Sequence, residues 1–186
     1  MKMTSSVLKI PMAARNYIYL VLGLILCFAP QLHAAEATGG GISSAVKRTG
    51  LPVPRFASLK SDDVNMRSGP GQRYPVEWEY KRKGLPVEIT AEFDTWRRIR
   101  DIQGTEGWVH QANLSGKRMV LVVGKGMQPV FVNNQANAGL RGQAEPGVQG
   151  KATKCDEKWC KIEFDSVKGY MKRESLWGIY PQEKLD

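Results

Sequence analysis

From residue 56 onward, short stretches of alternating apolar and polar side chains are separated by turn-forming residues about every 8 to 12 positions. Phe56-Ala57-Ser58-Leu59-Lys60 alternates. Ser68-Gly69-Pro70-Gly71 reads as a tight turn, with Gly69 and Gly71 expected at positive φ. Val76-Glu77-Trp78-Glu79-Tyr80 has period two, which puts Trp78 and Tyr80 on one face. Residues 86–93 and 96–100 read as two further strands, 103–107 as a turn, and Trp108-Val109-His110 as a strand. No 3.6-residue period is sustained anywhere in this region, so the pattern predicts an all-β barrel or sandwich. The apolar run Met119-Val120-Leu121-Val122-Val123 either closes one module or opens the next. In both cases it is expected between two modules packed on each other.

The pattern occurs twice. Trp96-Arg97-Arg98-Ile99-Arg100 followed by Gly107-Trp108-Val109 returns as Trp159-Cys160-Lys161-Ile162-Glu163 followed by Gly169-Tyr170-Met171. Trp96 and Trp159 are 63 positions apart, and so are Gly84 and Gly147. That length suits a duplicated small β-module rather than a solenoid unit. The predicted organisation is a leading segment over 1–34, a flexible Gly/Ala/Ser-rich leader over 35–55, a first domain over 56–118, a second and more degenerate domain over 119–181, and a tail over 182–186.

The leading segment has the layout of a secretory signal peptide. Lys2, Lys9 and Arg15 precede an apolar run over 17–29, then Pro30 and the small residues Ala34 and Ala35. Thirteen apolar residues fall short of the roughly 20 that span a bilayer, and Leu26 before Cys27 does not fit a lipidation site. Cleavage is expected near Ala34, giving a periplasmic or secreted chain whose only membrane contact is transient. The full sequence carries net charge +9; three of the 27 basic residues and none of the 18 acids fall in the first 34 positions, so the processed chain carries +6. Outside the cytoplasm this charge does not point to nucleic acid. It points to anionic envelope material, or serves solubility alone. Cys155 and Cys160 then lie in an oxidising compartment and are expected to pair across a hairpin.

The stretch Val64-Asn65-Met66-Arg67-Ser68-Gly69-Pro70-Gly71, followed by Tyr74-Pro75-Val76 and by Gly107-Trp108-Val109, resembles the bacterial SH3-like (SH3b) domain. Leu51-Pro52-Val53-Pro54-Arg55-Phe56, Tyr80-Lys81-Arg82-Lys83-Gly84 and Leu176-Trp177-Gly178-Ile179-Tyr180-Pro181 look like the exported two-repeat SH3-like proteins of proteobacteria. The second copy departs from the pattern: Val132-Asn133-Asn134-Gln135-Ala136 replaces the Asn-x-Arg-x-Gly-Pro-Gly turn, and Tyr170 replaces Trp108. The resemblance implies two small, strongly bent barrels that bind cell-wall or envelope partners, usually without catalysis.

The residues agree on catalysis. The processed chain has one histidine, His110, and no spare thiol once Cys155 pairs with Cys160. Asp62 and Asp63 are adjacent and point apart on a strand, so they do not make a glycosidase pair. No Gly-x-Ser-x-Gly elbow is present. The expectation is no catalytic residue, no metal site and no cofactor. Candidate binding residues are Tyr74, Trp78, Tyr80 and Trp96, interleaved with Arg67, Arg98 and Arg100; aromatics beside guanidiniums suit sugars or carboxylate-bearing peptides. Lys81, Arg82 and Lys83 form a basic turn that suits an anionic surface or simply a solvated loop. The expected function is non-catalytic recognition of peptidoglycan or its stem peptides through this aromatic-basic surface of the first barrel, with a periplasmic scaffold for an envelope protein as the alternative.

Overall fold

The computed structural model describes residues 48–186; the expected signal segment and most of the expected leader lie outside the described residues. Fourteen short strands, among the described residues, form two seven-stranded antiparallel sheets. The first barrel holds β1 (Arg55–Leu59), β2 (Val64–Arg67), β3 (Val76–Tyr80), β4 (Pro86–Phe93), β5 (Trp96–Arg100), β6 (Glu106–His110) and β7 (Leu114–Ser115). The second holds β8 (Met119–Val122), β9 (Gln128–Phe131), β10 (Leu140–Ala144), β11 (Gln149–Cys155), β12 (Trp159–Glu163), β13 (Lys168–Lys172) and β14 (Leu176–Trp177). A single 3₁₀ turn precedes the last strand of each barrel.

The two sheets have the same topology. Strand order is β3-β2-β6-β5-β4-β1-β7 in the first and β10-β9-β13-β12-β11-β8-β14 in the second, the same order seven strands on. The correspondence reaches individual residues. The β4–β5 ladder skips Thr90, between the pairs Ile89–Ile99 and Ala91–Arg98. The β11–β12 ladder skips Thr153, between Ala152–Ile162 and Lys154–Lys161. Each bulged threonine donates its hydroxyl to a carbonyl of the facing strand, Thr90 to Arg98 (3.4 Å) and Thr153 to Lys161 (3.3 Å). Such bulges sharpen twist and bend, which a seven-stranded sheet needs in order to curl into so small a barrel. The glycine that opens each closing motif is also needed: a Cβ on Gly107 would lie 2.6 Å from Met66 Cγ, and one on Gly169 would lie 2.4 Å from Val130 Cγ1.

Each barrel has its own core, as inward positions recur with period two. Leu59, Val64, Met66, Val87, Ile99 and Val109 fill the first, and Val120, Val122, Val130, Ile162 and Met171 the second. The 119–123 run therefore opens the second module: β8 pairs with β11 and β14. Leu121 is buried but belongs to neither core; it pairs with Gln149 and Trp177 of its own barrel.

The barrels form one compact unit. Phe56 packs against Trp177 (ring centroids 5.2 Å) and Tyr180 (4.7 Å), and the Tyr180 hydroxyl donates to Glu88 Oε1 at 2.6 Å. Arg55 already belongs to β1, and Thr49 donates to Glu92 from its backbone N–H (2.8 Å) and its hydroxyl (2.7 Å), so the leader is anchored from residue 49. The tail is also fixed: Leu185 and Cys155 exchange backbone hydrogen bonds (2.9 and 3.2 Å), and Arg173 donates to the carbonyls of Tyr180 and Glu183.

The expectation of positive φ at Gly69 and Gly71 is corrected. The glycines with positive φ include Gly84 and Gly147, but neither Gly69 nor Gly71. Gly69 is needed for space, because the Tyr74 ring lies where its Cβ would be, 2.5 Å away.

Candidate functional site

Equivalent grooves open on the two barrels, between the loop after the second strand and the hairpin of the fifth. On the first barrel, Trp96 of β5 stands opposite His110 of β6, and Arg67 of β2 pairs with Trp108 beside them. The Trp96 and His110 rings meet edge to face at 5.5 Å. His110 Nδ1 accepts from the Ala112 N–H at 3.3 Å, which caps the 3₁₀ turn. Arg67 donates to the Tyr74 carbonyl at 2.7 Å and holds the 68–75 loop close. What remains is a polar recess of about 190 Å³ edged by Asp63, Asn65, Gln72 and Asn113.

On the second barrel, Trp159 of β12 stands opposite Lys172 of β13, and Phe131 of β9 pairs with Tyr170. Phe131 takes the place of Arg67. A phenyl ring cannot bond the loop, so it turns edge to face onto Trp159 at 5.2 Å. The 132–139 loop is tethered elsewhere: Asn134 donates to Asp156 Oδ2 at 3.2 Å. Asp156 also accepts the N–H groups of Lys158 (2.9 Å) and Trp159 (2.8 Å), and these bonds hold its carboxyl below the usual range. The groove between loop and hairpin measures about 800 Å³. Leu176, Ile179 and Pro181 provide apolar wall, and Lys158, Lys172, Glu157 and Glu174 edge it. Lys172 and Glu174 are exposed and 3.6 Å apart, an ion pair too solvated to lock the rim. The Cys155–Cys160 disulfide closes the hairpin that carries Trp159 (Cα–Cα 4.1 Å).

Of the residues singled out from the sequence, Arg67 and Trp96 come together in the first groove. Tyr74 packs on Gly69, with the Arg73 guanidinium 5.1 Å from its ring centroid. Trp78 is 53% exposed on the edge strand β3. Tyr80 is corrected: it is only 5% exposed, and its hydroxyl donates to Asp101 at 3.0 Å inside the first barrel. Burial and the Asp101 carboxylate both push the Tyr80 phenol upward, so it stays a neutral donor.

Arg98 and Arg100 do share the outward face of β5, but neither is free. Arg98 pairs with Glu106 at 2.6 Å and Arg100 pairs with Glu88. The basic turn is largely engaged as well. Lys81 contacts Asp63 (2.5 Å) and Glu79 (2.7 Å), and Arg82 donates to Gln149 and to the Gly147 carbonyl of the second barrel. Lys83 has no ion-pair partner among the described residues. Among these residues no group of three or more His, Cys, Asp or Glu is disposed to hold a metal.

Sequence reasoning missed Phe131, Lys172, Leu176, Ile179 and Pro181 as a site. The signal for it was the 63-residue offset, which puts Trp159 on the position of Trp96.

The family model described as "Bacterial SH3 domain" matches residues 60–116 and again residues 124–178. The candidate N-acetylmuramoyl-L-alanine amidase YrvJ of Bacillus subtilis (strain 168) is 26% identical over 128 residues, covering 63% of this chain and 24% of its own. This chain thus spans about a quarter of that relative. The solved structures of NlpC2 and NlpC1 from Trichomonas vaginalis are 11% and 12% identical to it, covering 68% and 74% of this chain and 49% and 50% of theirs, each at a TM-score of 0.30. With one match to each barrel and identical strand order in both, this chain belongs to the bacterial SH3 domain family and carries two copies of its domain.

Proposed function

We propose that this protein is a non-catalytic cell-wall-binding module of the bacterial envelope, which takes peptidoglycan stem peptides chiefly in the aromatic groove of its second barrel. The groove of about 800 Å³ beside the Phe131–Trp159 pair carries this reading. Stem peptides present small methyl side chains and carboxylates. An indole face and an aliphatic wall suit the methyls, and Lys158 and Lys172 suit the carboxylates. Family membership supports the reading, as does likeness to a relative named for a wall-cleaving activity, a protein about three times as long. The polar recess at Arg67 and Trp96 serves as a smaller companion contact. The reading takes the chain outside the cytoplasm, in line with the export segment expected over 1–34.

Co-sedimentation with purified sacculi tests it. The exported protein is expected in the pellet at low salt, with Trp159→Ala reducing the bound fraction at least fivefold and Trp96→Ala reducing it less. A protein left in the supernatant, or a Trp159→Ala variant that sediments like the parent, would overturn the reading.

A specific observation favours a second reading, a scaffold for an envelope protein. Edge strand β3 exposes Val76 (44%) and Trp78 (53%) beside an unpaired strand edge, the surface that strand addition uses. A cross-linked protein partner that survives muramidase treatment and is lost in Trp78→Ala would favour it.

A further inference from the structure

The two barrels enclose a cleft of about 1190 Å³ along their junction, distinct from both grooves. Its walls come from both modules and the segment joining them. The β3–β4 turn supplies Arg82, Lys83 and Gly84, and the equivalent β10–β11 turn supplies Gly147 and Val148. Arg82 ties the two turns together, donating from Nη2 to the Gly147 carbonyl (2.9 Å) and from Nε to Gln149 Oε1 (2.8 Å). Its guanidinium is thereby spent on structure, and the turns are fixed relative to each other.

Four lysines remain around the cleft: Lys60, Lys83, Lys117 and Lys151. All are exposed, and none has a carboxylate within ion-pair distance among the described residues. Three of the four come from the first barrel or the joining segment. The carboxylates on the walls, Glu145, Glu163 and Asp165, all belong to the second barrel, and Glu163 is already held by Lys168 at 2.9 Å. Cations outnumber carboxylates five to three along the cleft. Like charges held in a concavity focus the potential that scattered surface charges lose to screening. A lysine ammonium acts as a compact point charge, with no demand for a planar partner.

We propose that this inter-barrel cleft is a second binding site, for a ligand bearing several closely spaced anionic groups. It stands apart from the aromatic groove and would survive the failure of the wall-binding reading. Both barrels are needed to form it, which gives the duplication a role that neither copy has alone.

Calorimetric titration of the exported protein with tripolyphosphate, and separately with citrate, tests the assignment. Saturable binding that weakens as salt rises is expected for at least one of them, and which one binds tells phosphate from carboxylate sources. Lys60→Gln/Lys83→Gln/Lys117→Gln is expected to lower the affinity at least tenfold with an unchanged melting temperature. Two controls should bind like the parent: Trp159→Ala, and Lys125→Gln/Lys154→Gln/Lys184→Gln, which removes the same charge away from both the cleft and the aromatic groove. No saturable binding of either probe at low salt would overturn the proposal. So would equal losses in the two triple variants, which would mean that net charge alone attracts the anion.

Discussion

Glu92 and Arg97 face each other across the β4–β5 hairpin at the two positions that Cys155 and Cys160 occupy across β11–β12, each 63 residues on. One barrel closes this hairpin with an ion pair and the other with a disulfide. Arg97 Nε lies 3.3 Å from Glu92 Oε1, and both side chains are only 4% exposed. Arg55 contacts the same carboxylate at 2.5 Å. Arg97 also donates to the carbonyls of Asp94 and Trp96 (2.8 Å each) and to Gln111 (2.5 Å), so its charge is fully satisfied.

The equivalence predicts an interchange. Glu92→Cys/Arg97→Cys is expected to form a disulfide under oxidising conditions and to stay folded, because the register already sets the two Cα atoms opposite each other. Arg97→Ala alone leaves Glu92 buried with less of its compensation and is expected to cost roughly 3–5 kcal/mol. Thiol titration with mass measurement checks the first outcome, and urea unfolding the second.

Glu92 also sets an acid limit. Burial pushes its carboxyl up, but the Thr49 hydrogen bonds, Arg55 and Arg97 outweigh burial and hold it at about 2, against an ordinary value of 4.5. A folded-state value below the unfolded one stabilises the fold above the unfolded value and ceases to do so as pH falls towards 2. The stabilisation at stake is on the order of 3 kcal/mol, lost between about pH 5 and pH 2. Urea midpoints at pH 7, 4 and 2.5 should follow this fall, and Glu92→Gln should flatten it. An unchanged slope in the variant would assign the acid sensitivity to other carboxylates.

The disulfide has a smaller and more local effect. Its five-residue separation closes a short loop, worth about 2 kcal/mol by the chain-entropy relation. Cys155→Ala/Cys160→Ala is expected to lower the melting temperature by several degrees. It should also weaken sacculus binding more than the stability loss explains, since the hairpin carries Trp159. Melting curves with and without reducing agent, beside the sedimentation assay, separate the two effects.

The strands, the duplication and the disulfide were legible because they rest on short-range patterns: period two, a 63-residue echo, and two cysteines five positions apart. What was hidden depends on partners far along the chain or on competing tendencies at one position. Alternation puts Arg97 inside and its charge argues against it; Glu92, across the hairpin, decides. Trp78 and Tyr80 do remain neighbours (centroids 6.4 Å), yet only Tyr80 turns inward, because Asp101 waits there to accept its hydroxyl. Arg82 reads as a solvated turn until Gly147 and Gln149 arrive from the other barrel. The wide groove follows from one exchange, Arg67 to Phe131, whose effect on the loop is a matter of packing that no local pattern carries.

The junction between barrels gives the last prediction. Glu88 is 6% exposed and takes the Tyr180 hydroxyl on one oxygen and the Arg100 guanidinium on the other. Burial and Glu88 push the Tyr180 phenol up, so it remains a donor at any physiological pH. Tyr180→Phe removes that donor while keeping the ring on Phe56, and is expected to cost about 1–2 kcal/mol. Phe56→Ala removes the ring contacts with both Trp177 and Tyr180 and is expected to cost roughly 2–3 kcal/mol. Neither residue lies in either barrel's core, so the loss should fall on the coupling of the barrels rather than on either one. Scanning calorimetry should then resolve the single transition of the parent into two for Phe56→Ala, with the disulfide-closed second barrel melting later and only that step sensitive to reducing agent. One sharp transition at the parental temperature would mean that the stacked rings do not couple the modules, and that the bonds from Arg82 to Gly147 and Gln149 hold them together instead.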